Sequence, residues 1–410
     1  MTLEELDWLR TDGLAVLERL QTTSGTDALA LATRLRKELP APKARLIQEQ
    51  LELRERGRAK FGDRAARMLF TRRLLEQATG MLVARHKAVR LAAFAALQST
   101  VEFGDLCCGS GGDALAFAEA GLSPALCDLD PIALGLARHN LSVAGFQART
   151  FETRLPELPF SPTLFHLDPD RRTQGRETGE DRWDAKGLSP DPSEIRQILS
   201  CCPEGVIKLS PGTPPEALEI ACEREFVGVR DEARELLLWC GALGEPGTVK
   251  VSEYGADGSC ETWSTRASAM EDAFSDDPAE EPGAYLHEPV KALVRSHLFA
   301  AYGQECGLSL LDNSIAWLTG SREFRSGLLK SYRVLAHAPL AKGTEAGLFR
   351  ETGRSCRAVK KRGVAVVPEA AQKLLRGFEG EPAILAYFRV RGRKWCAVLE
   401  PVAGTVLAGD

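Results

Sequence analysis

Apolar residues recur three and four positions apart in stretches such as 28–39 and 68–82, and this spacing predicts helices from about residue 3 to residue 97. Pro40 and Pro42 punctuate that run. After Ser99 the period changes, and short apolar strands alternate with helical segments, as a parallel α/β sheet requires. The expected strands cover 101–106, 124–128, 146–151, 163–168, 205–209, 226–230 and 248–254, a spacing that suits one doubly wound, Rossmann-like sheet. The acidic, proline-bearing run EDAFSDDPAEEPG at 271–283 is too polar to pack and reads as a linker. A separate α+β module follows, with helices expected at 289–306 and 368–376. A closing hairpin is expected at 383–389 and 394–400, turning at Arg391 and Gly392. The expected division is a helical domain at 1–97, the sheet domain at 98–268, a linker at 269–283 and the last module at 284–410.

With 410 residues, 44% of them hydrophobic and 27% charged, the chain can build more than one core. The start, MTLEELDWLRTDG, is acidic where a secretory signal would be basic. No apolar run approaches the roughly 18 residues a membrane span needs, so the expected location is the cytoplasm. Eleven cysteines fall as two adjacent pairs and singletons, never as CxxC, and read as small buried hydrophobes in a reducing compartment. The six histidines show no metal-ligand spacing, and no metal is expected. The formal net charge of -5 hides an uneven distribution. Residues 41–95 carry about eight more basic than acidic side chains, and residues 330–396 about ten more.

The segment Asp105-Leu106-Cys107-Cys108-Gly109-Ser110-Gly111-Gly112-Asp113 lies between a strand and an amphipathic helix. Glycines there let a ligand approach the backbone, and the helix start offers free N–H groups, so a cofactor is expected to dock. The loop also matches G-x-G-x-x-A through Ala114, with Asp128 about 19 residues after Gly109, which keeps a nicotinamide-dependent dehydrogenase in view. Charge separates the two readings. A pyrophosphate would face Asp113, whereas the sulfonium and ammonium of S-adenosylmethionine (SAM) would be stabilised by carboxylates such as Asp105 and Asp168.

The run D-L-C-C-G-S-G-G-D followed by C-D-L-D-P-I-A-L-G-L-A-R-H-N resembles class I RNA methyltransferases of the trimethylguanosine-synthase kind. On that resemblance Asp105, Cys107, Gly109, Gly111, Gly112 and Asp113 form the first SAM motif. Asp128, Leu129 and Asp130 form the acidic segment that takes the ribose hydroxyls, and Asp168-Pro169 is the motif beside the transferred methyl. Over roughly residues 60–400 the chain resembles bacterial methyltransferases with a C-terminal THUMP-like domain. The carrying segments are LEQATGMLVARHKAVR (75–90), D-P-D-R-R, IKLSPG (207–212), YLHEP (285–289) and KKRG (360–363). The resemblance implies a SAM-dependent enzyme whose partner, by analogy with THUMP domains, is RNA. Where enzymes that methylate exocyclic amines carry [DNS]-P-P-[aromatic], this chain has Asp170 and Arg171, which points away from base-amine methylation.

Asp168, Pro169 and Asp170 are therefore the candidate reacting-centre residues, with Lys208 at the end of the fifth strand and Glu232 after the sixth placed to join Asp168. The bland alternatives are a turn carboxylate, a strand-end lysine and a surface acid. Gln77 and Thr79 fall where an N-terminal segment would cover the cofactor's methionine end, although core or surface helix positions remain open. Arg171, Arg172 and Arg176, with Arg182, Lys186 and Trp183, form a loop suited to phosphates, and its own acids could equally neutralise it. Lys360, Lys361 and Arg362, with Lys330, Arg333, Arg391, Arg393 and Lys394, suggest a basic face, and Tyr387 and Trp395 are candidate stacking groups. A non-catalytic RNA-binding protein that keeps the methyltransferase fold is the remaining alternative.

Overall fold

The computed structural model describes residues 1–21, 28–171, 187–269 and 278–402. It divides into two compact units. The first comprises Met1–Leu209, Thr213–Cys222 and Leu237–Pro246, and the second Ser210–Gly212, Glu223–Leu236 and Gly247–Asp410. This differs from the expected boundaries. The helical segment belongs with the first half of the sheet region, and residues 247–268 belong with the C-terminal module.

In the first unit, helices α1 (Leu3–Trp8), α2 (Leu14–Gln21), α3 (Ala28–Glu38), α4 (Ala41–Phe61), α5 (Arg72–Gln77) and α6 (Met81–Ala95) precede the strands. The strands are β1 (Phe103–Leu106), β2 (Pro124–Asp128), β3 (Arg149–Glu152), β4 (Leu164–Leu167) and β5 (Gly205–Leu209). They pair in parallel in the order β3-β2-β1-β4-β5. Their crossovers run through α7 (Gly112–Glu119), α8 (Pro131–Ser142) and α9 (Pro192–Cys201). The order reverses between β1 and β4, and this switch point is where open α/β sheets leave a crevice at the carboxyl ends of the strands. β1 and β4 are buried at all four positions, so each reads as a continuous apolar run broken by one polar residue.

The helical segment is bound into this unit by burial and by hydrogen bonds. Leu6, Leu9, Leu17, Ile47, Leu69 and Leu74 share a core with Ala133 and Leu136 of α8, each buried leucine contributing roughly 1.5–3 kcal/mol. Gln50 exchanges two hydrogen bonds with the backbone of Phe70. Asn140 of α8, fully buried, accepts from Leu69 N at 2.8 Å and donates to Leu69 O at 3.1 Å and to Ser110 O at 2.9 Å. One side chain thus ties the helical segment, α8 and the glycine turn together.

The second unit contains most of β6 (Cys222–Val229) and the first part of β7 (Glu232–Cys240), with β8 (Thr248–Tyr254) parallel to β6 and β9 (Cys260–Arg266) antiparallel to β8. The expected strand at 226–230 is longer than anticipated, and β7 had no counterpart in the sequence reading. It follows a hairpin turn in which Arg230 and Asp231 have φ of 52° and 61°. Such turns normally announce themselves as Asn-Gly or Asp-Gly, and here the residues hide the signal.

The C-terminal sheet has seven strands. They are β10 (Tyr285–Pro289), β11 (Ser309–Leu310), β12 (Leu318–Gly320), β13 (Leu329–Pro339), β14 (Arg354–Lys361), β15 (Glu381–Val390) and β16 (Arg393–Pro401), in the order β11-β12-β10-β13-β16-β15-β14. The expected hairpin is β15 and β16. The expected helix at 289–306 is two helices, α10 (Lys291–Arg295) and α11 (Phe299–Glu305), because His297 sits at φ 60° between them and stops the first. Helices α12 (Thr344–Thr352) and α13 (Pro368–Leu374) cover the other end. All eleven cysteines are free. Among the described residues no helix is long and apolar enough to cross a membrane, and no cluster of three or more His, Cys, Asp or Glu has metal-binding geometry.

Replacing Asn140 with leucine strands the Leu69 N–H and C=O and the Ser110 carbonyl in a dry core. The expected loss is about 2–4 kcal/mol of unfolding free energy in urea titrations; a change under about 0.5 kcal/mol would remove the tie's importance.

Candidate active site

The turn between β1 and α7 is shaped by backbone geometry that only some residues tolerate. Gly109 and Gly111 have φ of 53° and 78°, and a Cβ on Gly111 would stand 3.0 Å from the backbone Cα of Ala137 in α8. Cys107, with φ of 61°, holds a left-handed conformation that costs a side-chain-bearing residue free energy. Gly112 opens α7 beneath the helical segment, where a Cβ would meet the Phe61 ring at 3.3 Å and the Thr79 carbonyl at 3.5 Å.

Asp128 supports the turn. One carboxylate oxygen accepts from Gly109 N at 2.9 Å and the other from Asp130 N at 2.9 Å. Burial pushes its carboxyl up from the usual range, and the backbone donors oppose that shift. Asp130 caps α8 by accepting from Ile132 N at 2.9 Å. Leu129 between them is 64% exposed, an apolar surface at the lip of the crevice.

At the end of β4, the Asp168 N–H donates to Leu106 O at 3.1 Å, which fixes the Asp168-Pro169-Asp170 segment beside the start of the glycine turn. Lys208 of β5 donates to the Asp168 carboxylate at 2.6 Å. The predicted Asp168–Lys208 pairing is thus present. Glu232 lies in the second unit, just after β6 as expected, but it is the exposed first residue of β7, with its carboxylate 3.3 Å from Arg234, and not a helix-surface acid.

Helix α5 lies near the turn, with Leu74 Cδ2 3.9 Å from where a Gly109 Cβ would be. Lys60 secures its C-terminal end by donating to the carbonyls of Leu75, Glu76 and Ala78 at 2.8, 2.7 and 2.5 Å. Gln77, exposed, donates to Asp170 at 3.2 Å, whereas Thr79 is buried. Arg73 spans Asp130 at 3.2 Å and Asp170 at 3.4 Å. The sequence reading did not single out Arg73; its position one helical turn before Gln77 was the available signal.

Two expectations about charge need correction. Asp105 does not line an open mouth: its side chain is wholly buried, 2.7 Å from His166 Nδ1. Asp113 does not present a free carboxylate either, because the fully buried Lys87 of α6 holds it at 2.8 Å. Burial alone would raise the Asp113 pKa, but Lys87, by its charge and its hydrogen bond, with the charge of Lys208 behind it, holds the group well below the usual carboxylate range. Asp113 would therefore repel a pyrophosphate less than its bare charge implies. Lys87 and His166 were missed by the sequence reading, although each is a lone polar residue inside an apolar stretch, MLVARHKAVRL and LFHL.

The thiols are poor nucleophiles. Burial pushes Cys107 and Cys108 well above the ordinary thiol range and Cys202 up to about 11. Arg171 ends a two-residue strand, Asp170–Arg171, that pairs with Leu188 and Ser189, and Arg172, Arg176, Arg182, Trp183 and Lys186 lie outside the described residues.

In the second unit the expected basic face is partly consumed by internal pairing. Glu288 is gripped by Lys360 and Arg362, each at 2.7 Å, Lys330 pairs with Asp231, and Arg333 pairs with Glu400. Lys361 donates to the Val366 carbonyl. Tyr387 is core, its hydroxyl bonded to Glu345, and cannot stack on a base as expected; Trp395 packs on His337.

The site fits SAM in the chemistry of its groups. Ser110 Oγ and Asp105 Oδ2 are buried with no hydrogen-bond partner among the described residues, and Asp128, Asp130 and Asp168 keep part of their surface open around the turn. No protein-family model matches the chain. It is similar to a protein known from two strains of Mycobacterium tuberculosis, CDC 1551 and H37Rv, where it is described as an uncharacterized S-adenosylmethionine-dependent methyltransferase. The identity is 28% over 352 residues, covering 84% of this chain and 92% of the relative. The fold matches the crystal structure of a protein assigned as a candidate methyltransferase from Porphyromonas gingivalis W83, with a TM-score of 0.77 and 16% identity over 98% of this chain and 99% of that one. The likeness to that structure is one of fold. The chain is a SAM-dependent methyltransferase with SAM as its cofactor, and the dehydrogenase and non-catalytic alternatives fall away.

Removing Lys87 tests the buried pairing. In the wild type, Asp113 has a depressed pKa when folded, so its stabilisation is complete above the unfolded value near 3.8 and is lost as pH falls through the folded value. Lys87→Met leaves a buried carboxylate unpaired, and the expected cost is about 3–5 kcal/mol at pH 7. The variant should regain stability on acidification toward pH 5, where the wild type does not; parallel pH–stability curves would contradict the assignment.

Proposed function

We propose that the chain transfers the methyl group of SAM to RNA at the crevice above β1 and β4. The observation that carries the reading is the Asp168 carboxylate, fixed by Lys208 at 2.6 Å and by its own backbone beside the glycine turn. In this reading the backbone of Gly109, Gly111 and Gly112, with Cys107 and Asp113 shaping the turn, receives the cofactor. Asp128 and Asp130 take the ribose hydroxyls with their remaining lone pairs, and Leu129 offers an apolar face to the adenine. Gln77 and the Thr79 segment close over the methionine end. Asp105 acts from beneath the turn rather than by lining it.

SAM brings a methyl already activated by its positive sulfur, so the chain has to orient the acceptor and exclude water. Asp168 accepts a hydrogen bond from the acceptor's N–H or O–H, Lys208 holds that carboxylate in place, and Pro169 and Asp170 shape the wall beside it. The raised thiol pKa values argue against a covalent cysteine route.

RNA as substrate rests on exposed cations at the edge of the C-terminal sheet. Arg357 and Lys361 of β14 stand beside Lys373 and Arg376 on and after α13, and Gln372 donates to the Arg357 carbonyl, which holds helix and strand together. Lys360 and Arg362 contribute less field because Glu288 offsets them.

Asp168→Asn should lower transfer of labelled methyl to bulk RNA by about a hundredfold while SAM affinity by calorimetry changes by less than about threefold. Full activity in that variant would end the assignment. Reversing charge at Arg357, Lys361 and Lys373 together should weaken RNA binding at low salt by about tenfold or more and flatten its salt dependence. Unchanged binding would leave the substrate to be sought among proteins or small molecules. A methylated nucleoside missing from the RNA of cells that lack the protein would name the product.

A further inference from the structure

Parallel pairing sets Asp105 of β1 opposite His166 of β4, and both side chains lie on the face covered by α7, where Phe117 meets the imidazole with ring centroids 5.0 Å apart. His166 Nδ1 is 2.7 Å from Asp105 Oδ1, and the two residues are 1% and 0% exposed. Neither Asp105 Oδ2 nor His166 Nε2 has a hydrogen-bond partner among the described residues. A proton on Nε2 would be buried without an acceptor, so the tautomer that suits the surroundings carries its proton on Nδ1 and donates it to the carboxylate.

The other charged groups around this pair come from four elements and cancel in twos. Asp113 of α7 is matched by Lys87 of α6, and Asp168 beyond β4 by Lys208 of β5. Asp105 has only a neutral hydrogen-bond donor. Burial raises the Asp105 pKa on balance, the charges of Asp113 and Asp168 add to that rise, and the bond from His166 is what opposes it. Alongside the Asp128 carboxylate on Gly109, the Asp105–His166 pair therefore sets how much negative charge lies buried beneath the glycine turn.

We propose that His166 is a positioning residue that keeps Asp105 ionised, so that the buried charge favours the positive sulfonium of SAM over the neutral thioether of S-adenosylhomocysteine (SAH). This rests on the turn being the cofactor site. Methyl transfer moves the methyl to the acceptor and leaves the bonding pair on sulfur, which becomes uncharged. The same carboxylate that draws the cofactor in then offers the product nothing, and product release is eased.

The test is calorimetry of the full chain with SAM and with SAH, reading the ratio of the two dissociation constants. The two ligands have nearly the same shape, so a merely structural role would move both affinities and leave the ratio alone. Asp105→Asn, nearly isosteric, and His166→Phe, which removes the donor, should each lower the preference for SAM by about fivefold or more. His166→Asn carries an amide N–H close to where Nδ1–H stood and should keep the preference within about twofold of wild type. An unchanged ratio in Asp105→Asn overturns the proposal, as does a ratio in His166→Asn that falls as far as in Asp105→Asn. Should His166→Phe fail to fold, those two variants still decide the matter. A wild-type protein that binds neither ligand would instead overturn the cofactor site itself, a result visible before any variant is made.

Discussion

Acidic groups placed under a backbone turn, away from water, must each find a partner, and this constraint organises the first unit. Lys87 on α6 and His166 on β4 have no contact with solvent to speak of, yet they hold Asp113 and Asp105. Leaving either acid alone would cost more than any one packing contact returns. Once the pairs are required, the register of β1 with β4 and the placement of α6 against α7 follow, because each partner sits on a different element. The crevice above inherits its shape from charges that are never seen at the surface.

The helical segment takes part in the same arrangement. Asn140, Gln50 and Lys60 satisfy backbone groups at 69–70 and 75–78, the stretch that passes over the turn. Side-chain amides and an ammonium therefore do what secondary structure does elsewhere, which lets an irregular stretch of chain be buried next to the site. Arg73 and Gln77 extend the contact to the acids on either side of the crevice. A segment that reads as a separate helical domain is in physical terms the roof of the sheet domain.

How far the fold was legible depended on whether a residue's role was local. The strands β1, β2, β4 and β5, the glycine turn and the Asp168–Lys208 pair follow from short apolar runs and from strand ends, and these are visible in a window of a few residues. β7 was missed because EARELLLWC lacks alternation and follows a turn made by Arg230 and Asp231, residues that seldom adopt positive φ. The helix at 289–306 was drawn through His297 for the same reason. Pairing partners were invisible: nothing near Asp105 in the chain announces His166, 61 residues away, and nothing near Lys360 announces Glu288. The basic face was thus overestimated, since counting charges along a chain cannot tell which are spent on one another.

The close approach at Gly111 has a consequence for how this protein can change over time. The atom that would collide with a side chain there is the Cα of Ala137, part of the helix itself, so trimming residue 137 opens no room. An alanine would need the α8 backbone to give by a few tenths of an ångström on top of the left-handed strain at φ 78°, and α8 carries Asp130 at its start and Asn140 near its end. Drift at this one glycine is therefore blocked from several sides at once, and new specificities would have to arise around the turn, in the loops and the roof, while the turn stays as it is.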